Sequence, residues 1–379
     1  MIYFDNNATT RVAPEVFAAM QPFLTEFYGN PSSGYDFARE SKKAIETARE
    51  SIAELLGAPD SDEIVFTSSG TESDNWAILG ALEANPAGKH LVTTRVEHEA
   101  VRKLCEKLEK NGYQMTWLEV DCEGFLDLDK LKNSLHPETA IVSVMLANNE
   151  TGILFPVAEI AEIVKAHSGA LFHVDGVNAA GKIPLDLKHT AIDLFSLSGH
   201  KFHAPKGVGA LYVREGARLP SFLIGGAQEK GRRAGTEAVH QLAGLGKAAE
   251  IVGDFSAMEK VRALRDRLEN EILHKIPNSR LNGTADASRR LPNTSSISFS
   301  DTNGEAILAK LNDAGVCVST GSACNSDDHT ASPVLQAMNV PYRDAMGAIR
   351  FSLGRYNTEA EIDFVLQKLP AIIQELKAV

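Results

Sequence analysis

The chain has 379 residues, 44% hydrophobic and 23% charged, which is typical of a globular protein with two domains or one large domain and a smaller companion. Its net charge of -12 argues against direct nucleic-acid binding, which requires Lys and Arg at the phosphates. No apolar run approaches the roughly 20 residues that span a bilayer, and no signal peptide is visible. We therefore expect a cytoplasmic protein with reduced thiols and no metal site, since its four cysteines show no metal-ligand spacing.

Short runs typical of β-strands alternate with segments of helical periodicity through the first part of the chain. This alternation predicts an α/β fold with a mainly parallel, seven-stranded sheet. The predicted strands cover residues 63–66, 90–94, 113–118, 140–146, 170–174, 194–197 and 209–213. Helices are predicted over residues 41–56, 101–110 and 157–167.

The last third of the chain has a different pattern. Residues 241–273 are predicted to be largely helical, with a break at Asp254-Phe255. Strands at 294–299 and 316–319 and helices at 304–314 and 358–376 are predicted to follow. We therefore predict a large domain of residues 15–255, and a smaller α+β domain of residues 1–14 and 256–379.

Five of the predicted strands run directly into a short polar segment. The segments are residues 67–72, 97–99, 148–150, 175 and 198–201. Ligands of open α/β sheets bind at the carboxyl ends of the strands. The sequence therefore predicts a single pocket that gathers all five segments.

The residue types in these segments suit pyridoxal 5'-phosphate (PLP). The turn at 68–71 would bind a phosphate through free N–H groups, although a simple helix cap has the same pattern. Lys201 would form a Schiff base with an aldehyde, unless it is an ordinary surface lysine. Asp175 would pair with a protonated pyridine nitrogen, or it caps the following turn. His98, unless exposed, would lie over the ring and shuttle protons.

The motifs along the whole chain resemble those of group I cysteine desulfurases, the NifS/IscS type, which are fold-type I PLP enzymes built like aspartate aminotransferase. Ser198-Gly199-His200-Lys201 and Gly321-Ser322-Ala323-Cys324 are together the specific elements. The resemblance is carried by residues 3–10, 29–33, 66–75, 97–98, 148–152, 173–175, 198–202, 231–237, 321–324 and 350–354.

The resemblance implies a role for each site residue. Lys201 would bind the PLP aldehyde, His98 would stack on the ring, and Asp175 would pair with the ring nitrogen. The other implied cofactor contacts are Gly70, Thr71, Ser198, His200 and a partner subunit's Thr236 at the phosphate, and Asn149 and Asn178 near the ring oxygen. Asn30 and Arg350 would bind the substrate carboxylate, a task suited to the guanidinium fork.

The implied reaction removes the sulfur of L-cysteine. Lys201 would move a proton from the α-carbon, and the Cys324 thiolate would attack the substrate sulfur, giving L-alanine and a persulfide on Cys324. The resemblance also implies a homodimer and a sulfur acceptor such as an iron–sulfur scaffold protein. The alternative for Cys324 is an ordinary loop thiol.

The sequence departs from the family pattern at several positions. Asn178 replaces the usual Gln, so its contact to the ring oxygen would be longer or run through water. Ala204 replaces a Gly, which would strain the turn if that position needs a positive φ. Other differences are Tyr35 for His, Asn325 for Thr, and Thr330-Ala331-Ser332 for Glu-Pro-Ser. The end at Val379 lacks the long tail of the housekeeping relatives and favours the NifS branch.

Three other functions fit parts of the sequence. A selenocysteine lyase or another C–S lyase on the same fold would not need Cys324. A non-catalytic scaffold would not need Lys201, His98 or Asp175, and an aminotransferase would not need the Gly-Ser-Ala-Cys segment. Loss of cysteine turnover in a Cys324→Ala variant would identify a desulfurase.

Overall fold

The computed structural model describes residues 1–320 and 330–377. The strands in these ranges are β1 Ile2–Tyr3, β2 Ile64–Thr67, β3 His90–Thr94, β4 Gln114–Leu118, β5 Thr139–Met145, β6 Leu171–Asp175, β7 Leu194–Ser198, β8 Gly209–Val213, β9 Ser279–Leu281, β10 Thr294–Phe299, β11 Val316–Cys317 and β12 Ala348–Ser352. The helices are α1 Pro14–Met20, α2 Pro22–Thr25, α3 Arg39–Leu56, α4 Gly70–Ala84, α5 Glu99–Lys110, α6 Leu128–Ser134, α7 Val157–His167, α8 Val239–Val252, α9 Ser256–Lys275, α10 Gly304–Asp313, α11 Pro333–Ala337, α12 Tyr342–Ala345 and α13 Glu359–Lys377.

A mainly parallel sheet forms the centre of the molecule. Its seven strands have the order β2-β8-β7-β6-β5-β3-β4. Strands β3 to β7 pair in parallel, while β8 runs antiparallel to both β2 and β7. Strands β5 and β7 are buried along their whole length, which is usual where helices cover both faces of a parallel sheet. The predicted α/β fold with a seven-stranded sheet is confirmed.

The packing and the C-terminal end of helix α3 both follow from its sequence. Its buried positions, including Ile45, Ile52 and Leu56, recur at helical spacing and pack against the sheet layer and α8. The helix ends at Gly57, whose φ of 59° is left-handed. A Cβ there would lie 2.8 Å from the Leu185 carbonyl oxygen, so both the turn and the packing require glycine.

The C-terminal part has its own antiparallel sheet, in the order β12-β10-β9. Helices α9, α10 and α13 cover it and form a separate apolar cluster with residues such as Leu268, Ile297 and Val365. The N-terminal strand β1 joins this part by pairing with β11. The predicted break near Asp254 is present between α8 and α9, while the domain limits themselves stay a prediction.

The backbone shows whether Ala204 is strained. Positive φ values in the turn after Lys201 occur at His203 (72°) and Gly207 (82°), so Ala204 is not strained. Among residues 1–320 and 330–377, no helix has the length and apolar character needed to span a bilayer.

Candidate active site

The carboxyl ends of five sheet strands, β2, β3, β5, β6 and β7, open into one pocket of about 360 Å³. The sequence-predicted residues that line it are Gly70, Thr71, His98, Asn149, Asp175, Asn178, Ser198, His200, Lys201 and Arg350. The N-terminal loop contributes Asn7 and Ala8 to another wall. The five polar segments therefore converge in a single pocket, as their positions after the strands predicted.

Lys201 lies in the 3₁₀ turn that follows β7 directly. Its Nζ donates to the backbone carbonyl of Asn7 and, at 3.0 Å, to that of Ala8. These contacts hold the amine in the pocket. Lys201 is therefore not a freely solvated surface lysine, and its amine is in a position to react with a bound aldehyde.

Asp175 is the last residue of β6 and is 5% exposed. Its Oδ1 accepts a hydrogen bond from the Val177 N–H at 2.9 Å, so it also caps the following turn. Burial raises the pKa of Asp175, and the neighbouring His98 and Lys201 only partly oppose this. A buried carboxylate is stabilised by a cationic partner, and the protonated ring nitrogen of PLP fits that requirement.

His98 caps the N-terminus of α5. The Ala100 N–H donates to its Nδ1 at 3.2 Å, which leaves the proton of the neutral ring on Nε2. Burial lowers the pKa of His98, while the charge of Asp175 raises it in part. The lowered pKa favours the neutral imidazole, and Nε2 is the atom that can exchange a proton with a bound molecule.

The connection between β2 and α4 has the features of a phosphate site. Ser69 caps α4 by accepting from the Glu72 N–H, while the N–H groups of Gly70 and Thr71 have no partner in the described chain. A Cβ at Gly70 would lie 2.6 Å from Val177 Cγ2, so a larger residue would have to displace Val177 or the turn. The Ser198 hydroxyl is buried and lacks a hydrogen-bond partner in the described residues. These unpaired donors at a helix N-terminus suit the PLP phosphate.

His200 lines the same pocket. Its Nδ1 lies 3.2 Å from the Thr9 hydroxyl. Burial, followed by the charge of Lys201, lowers the pKa of His200 to about 4. His200 is therefore neutral near pH 7 and would contribute a hydrogen bond, not a charge, to a bound phosphate.

Arg350, on β12, faces the pocket from the C-terminal part of the chain. Its Nη2 forms an ion pair with Asp5 at 2.7 Å, and its Nη1 donates to the Asn149 carbonyl at 3.0 Å. Its Nε is buried without a partner in the described chain. An arginine anchored in this way keeps further N–H groups on Nη1 and Nη2 for a ligand, which fits the predicted binding of a substrate carboxylate.

Two predicted site residues are not brought into the pocket of this chain. Asn30 and Thr236 are exposed and do not line it. Asn30 instead accepts a hydrogen bond from the Ser32 N–H at 2.9 Å. The assignment of Thr236 was to the pocket of a partner subunit, and stays a prediction. Cys324 lies outside the described residues.

Lys182 is a buried residue that the sequence did not reveal. It is 6% exposed, and its Nζ lies 2.7 Å from Asn178 Oδ1 and 2.9 Å from Asn7 Oδ1. Burial lowers its pKa well below the usual value, and the charge of Lys201 adds to the effect. The sequence offers one signal for Lys182: it follows Asn178 by four positions, a spacing that brings two side chains together on a helical turn.

Two further carboxylates in the pocket were given no role by the sequence, although Glu97 belongs to one of the predicted segments. Glu97 and Asp74 are 4% and 1% exposed and line the pocket beside Asp175. Burial raises the pKa of Glu97 to about 8 and that of Asp74 well above its usual value, and Asp175 adds to both shifts. Three buried carboxylates at one place are unfavourable without a cation. A positively charged ligand group bound beside them would therefore favour their ionised forms.

The fold and the pocket together define a fold-type I PLP-dependent enzyme. The chain belongs to the aminotransferase class-V family, whose model matches residues 2–365, and within it to the cysteine desulfurases. It is 55% identical to the cysteine desulfurase of Trichormus azollae, over 100% of this chain and 94% of that protein. It is 50% identical to the cysteine desulfurase NifS of Azotobacter vinelandii, with the same coverage.

Solved structures agree with the sequence relatives. A NifS-like protein superposes with a TM-score of 0.92 at 37% identity, over 99% of this chain and 100% of that one. A second structure, described as SspA in complex with cysteine, has a TM-score of 0.83 at 33% identity, over 94% of this chain and 100% of the other.

Proposed function

We propose that the protein is a cysteine desulfurase that converts L-cysteine to L-alanine and carries the released sulfur as a persulfide on Cys324. The observation that carries the proposal is the meeting of Lys201, Asp175 and the Gly70–Thr71 turn in one pocket, which Arg350 also lines. An amine, a buried carboxylate and a phosphate cradle are the three groups that PLP requires. Arginine adds a site for the carboxylate of an amino acid.

Different residues of the pocket would bind different parts of PLP. Lys201 would hold the aldehyde, Asp175 the ring nitrogen, and His98 the ring face. The phosphate would be bound by Gly70, Thr71, Ser198 and His200, and by Thr236 of the partner subunit; the ring oxygen would be bound by Asn149 and Asn178. When bound, PLP supplies an electron sink for the α-carbon of an amino-acid substrate.

The chain's own groups then bind the substrate and move its protons. Arg350, with Asn30, would orient the L-cysteine carboxylate. The Lys201 amine would take the proton from the substrate α-carbon, because its Nζ is held inside the pocket by the N-terminal loop. His98 Nε2 would exchange a proton with the substrate thiol, since Nδ1 is occupied by the Ala100 N–H.

Cys324 would act as the sulfur acceptor. Its thiolate attacks the substrate sulfur, a sulfur–sulfur bond forms, and the carbon–sulfur bond of cysteine breaks. The carbon skeleton gains a proton and leaves as L-alanine. The sum is L-cysteine plus the Cys324 thiol giving L-alanine plus the Cys324 persulfide, without an external oxidant.

The proposal includes a homodimer that works in the cytoplasm, where thiols are kept reduced. Large apolar side chains exposed within residues 17–37 support the dimer: Phe17, Leu24, Tyr28, Tyr35 and Phe37 are each between 45% and 70% exposed. A second copy of the chain bound at this surface would also supply the partner subunit that the assignment of Thr236 requires. The persulfide sulfur would pass to an acceptor such as an iron–sulfur scaffold protein.

The test is mass spectrometry of the PLP-loaded protein after a short pulse of L-cysteine without reductant, with alanine measured in parallel. We expect one added sulfur on the peptide that bears Cys324. Cys324→Ala should abolish the mark and alanine formation, while the control Cys122→Ala, at an exposed thiol, should retain both. Full alanine formation by Cys324→Ala would instead identify a C–S lyase, and a wild-type protein that binds no PLP would contradict the proposal.

A further inference from the structure

A segment distant in sequence, residues 228–236, contacts the chain on both sides of the turn that carries Gly70 and Thr71. Glu229 contacts the end of β2, just before the turn, and Arg233 contacts the first turn of α4, just after it. Gly70 and Thr71, two of the residues assigned to the phosphate, lie between these two contacts. The shape of the phosphate site therefore depends on a part of the chain that does not itself line the pocket.

Glu72 is hydrogen-bonded to both serines of the turn, Ser68 and Ser69. Its Oε2 accepts from the Ser68 N–H at 2.8 Å and from the Ser68 hydroxyl at 2.5 Å, and its own N–H donates to Ser69 Oγ at 3.1 Å. These bonds use the donors of Ser68 and Glu72. The N–H groups of Gly70 and Thr71 are left as the unpaired donors of the helix N-terminus.

Arg233 fixes the Glu72 carboxylate through two parallel contacts. Its Nε lies 2.9 Å from Oε1 and its Nη2 lies 3.1 Å from Oε2. The side chains are 19% and 9% exposed, so the pair is largely shielded from water. Burial alone would raise the pKa of Glu72, but Arg233 and Ser68 bring it below its usual value. The carboxylate is therefore charged and held in one orientation.

Glu229 fixes the position from which Arg233 reaches the turn. Its carboxylate accepts from the Phe66 N–H at 2.9 Å and pairs with both terminal nitrogens of Arg49, at 2.8 and 2.9 Å. Glu229 and the following Lys230 have φ values of 50° and 58°, a left-handed conformation that residues other than glycine adopt at a cost. The buried ion pair stabilises this sharp turn, after which the chain returns to α4 at Arg233.

We propose that Arg233 is a positioning residue for the cofactor phosphate, acting through Glu72 to hold the N–H groups of Gly70 and Thr71 in their binding arrangement. The inference rests on the proposed function, since it takes PLP as the ligand. Arg233 does not line the pocket, so it would act on the phosphate only through Glu72. Its effect should therefore be specific to ligands that carry the phosphate group.

The experiment measures the dissociation constants of PLP and of pyridoxal, which lacks the phosphate, for the apoprotein by absorbance or fluorescence titration. The variants are Arg233→Met, Arg233→Lys, Glu72→Gln and the double variant Glu72→Gln/Arg233→Met. Lys230→Met is the matched control, since Lys230 belongs to the same segment but pairs with Asp62 in solvent, with side chains 59% and 62% exposed. Arg233→Lys keeps the charge without the fork, and provides the test if Arg233→Met does not fold.

We expect Arg233→Met to raise the Kd of PLP about ten-fold, the effect of losing a charge-assisted pair, with pyridoxal changed less than about two-fold. The double variant should bind PLP no more weakly than the weaker single variant, and Lys230→Met should match the wild type. PLP binding unchanged in Arg233→Met and Arg233→Lys would overturn the inference, and so would equal losses for PLP and pyridoxal. A wild type that binds neither ligand would overturn the proposed function itself.

Discussion

The Nζ atom of Lys182 lies 2.7 Å from the amide oxygen of Asn178, and both side chains are almost fully buried. The same Nζ donates to Asn7 Oδ1, and the backbone carbonyl of Asn7 accepts from Lys201. One buried lysine thus orients two side-chain amides, those of Asn7 and Asn178, in the pocket that Lys201 also lines. It also determines how Asn178, shorter than the usual Gln, presents its amide to the pocket.

Lys182→Met should change how stability depends on pH. Burial lowers the pKa of Lys182 well below its usual 10.5, so the native state binds fewer protons than the unfolded state. The wild type therefore gains stability as the pH rises toward 10.5, and the variant should lack this gain. Urea unfolding of the apoproteins at about pH 7 and about pH 9.5 measures it. The exposed Lys188→Met control should keep the wild-type slope; an equal slope in Lys182→Met would refute the expectation.

Glu97→Gln should stabilise the apoprotein at alkaline pH. The pKa of Glu97 is raised from 4.5 to about 8, so the wild type loses stability as the pH rises between these values. Gln keeps the oxygen that accepts from Thr94 and the Met145 N–H, at 2.7 and 3.1 Å, but cannot ionise. We expect a gain of about 2 kcal/mol near pH 8 and little or none near pH 5. Urea unfolding at both pH values, with the exposed Glu54→Gln as control, checks this; an equal gain at both pH values would contradict it.

Asp175→Asn should make the apoprotein more stable and the enzyme less active. Removing one of three buried carboxylates relieves repulsion with Asp74 and Glu97, so the apoprotein should be about 1–2 kcal/mol more stable near pH 8. Cysteine turnover should fall by about 10²- to 10⁴-fold, because the ring nitrogen loses its partner. Unfolding and alanine formation are measured on the same preparation. A variant that is both less stable and fully active would show that Asp175 is a structural residue.

Gly70→Ala should weaken the binding of PLP about ten-fold, since the new Cβ would lie 2.6 Å from Val177 Cγ2 and displace the turn. Adding Val177→Ala removes the clashing methyl group and should restore most of the affinity. Gly169→Ala is the control, because a Cβ there meets no atom within 4 Å. Titration of each apoprotein with PLP gives the three values. Gly70→Ala with wild-type affinity would show that the turn tolerates a side chain.

Much of the fold could be predicted because its elements depend on nearby residues. Strands β3 and β8 begin and end where their apolar runs do. Strand β2 starts one residue later than predicted, because the Asp60 side chain caps a 3₁₀ turn that takes in Glu63. The polar residues after the strands also converged as expected, since the carboxyl ends of parallel strands lie at one edge of the sheet.

The walls of the pocket could not be predicted in the same way. Lys201 is held by Asn7, 194 positions away, Arg350 by Asp5, 345 away, and Glu72 by Arg233, 161 away. Helical or strand periodicity depends on neighbours within a few positions, so it contains no information about such pairs. They exist because the N-terminal loop and the C-terminal sheet pack against the central sheet, and that packing turns an amine, an arginine and a helix N-terminus into one site.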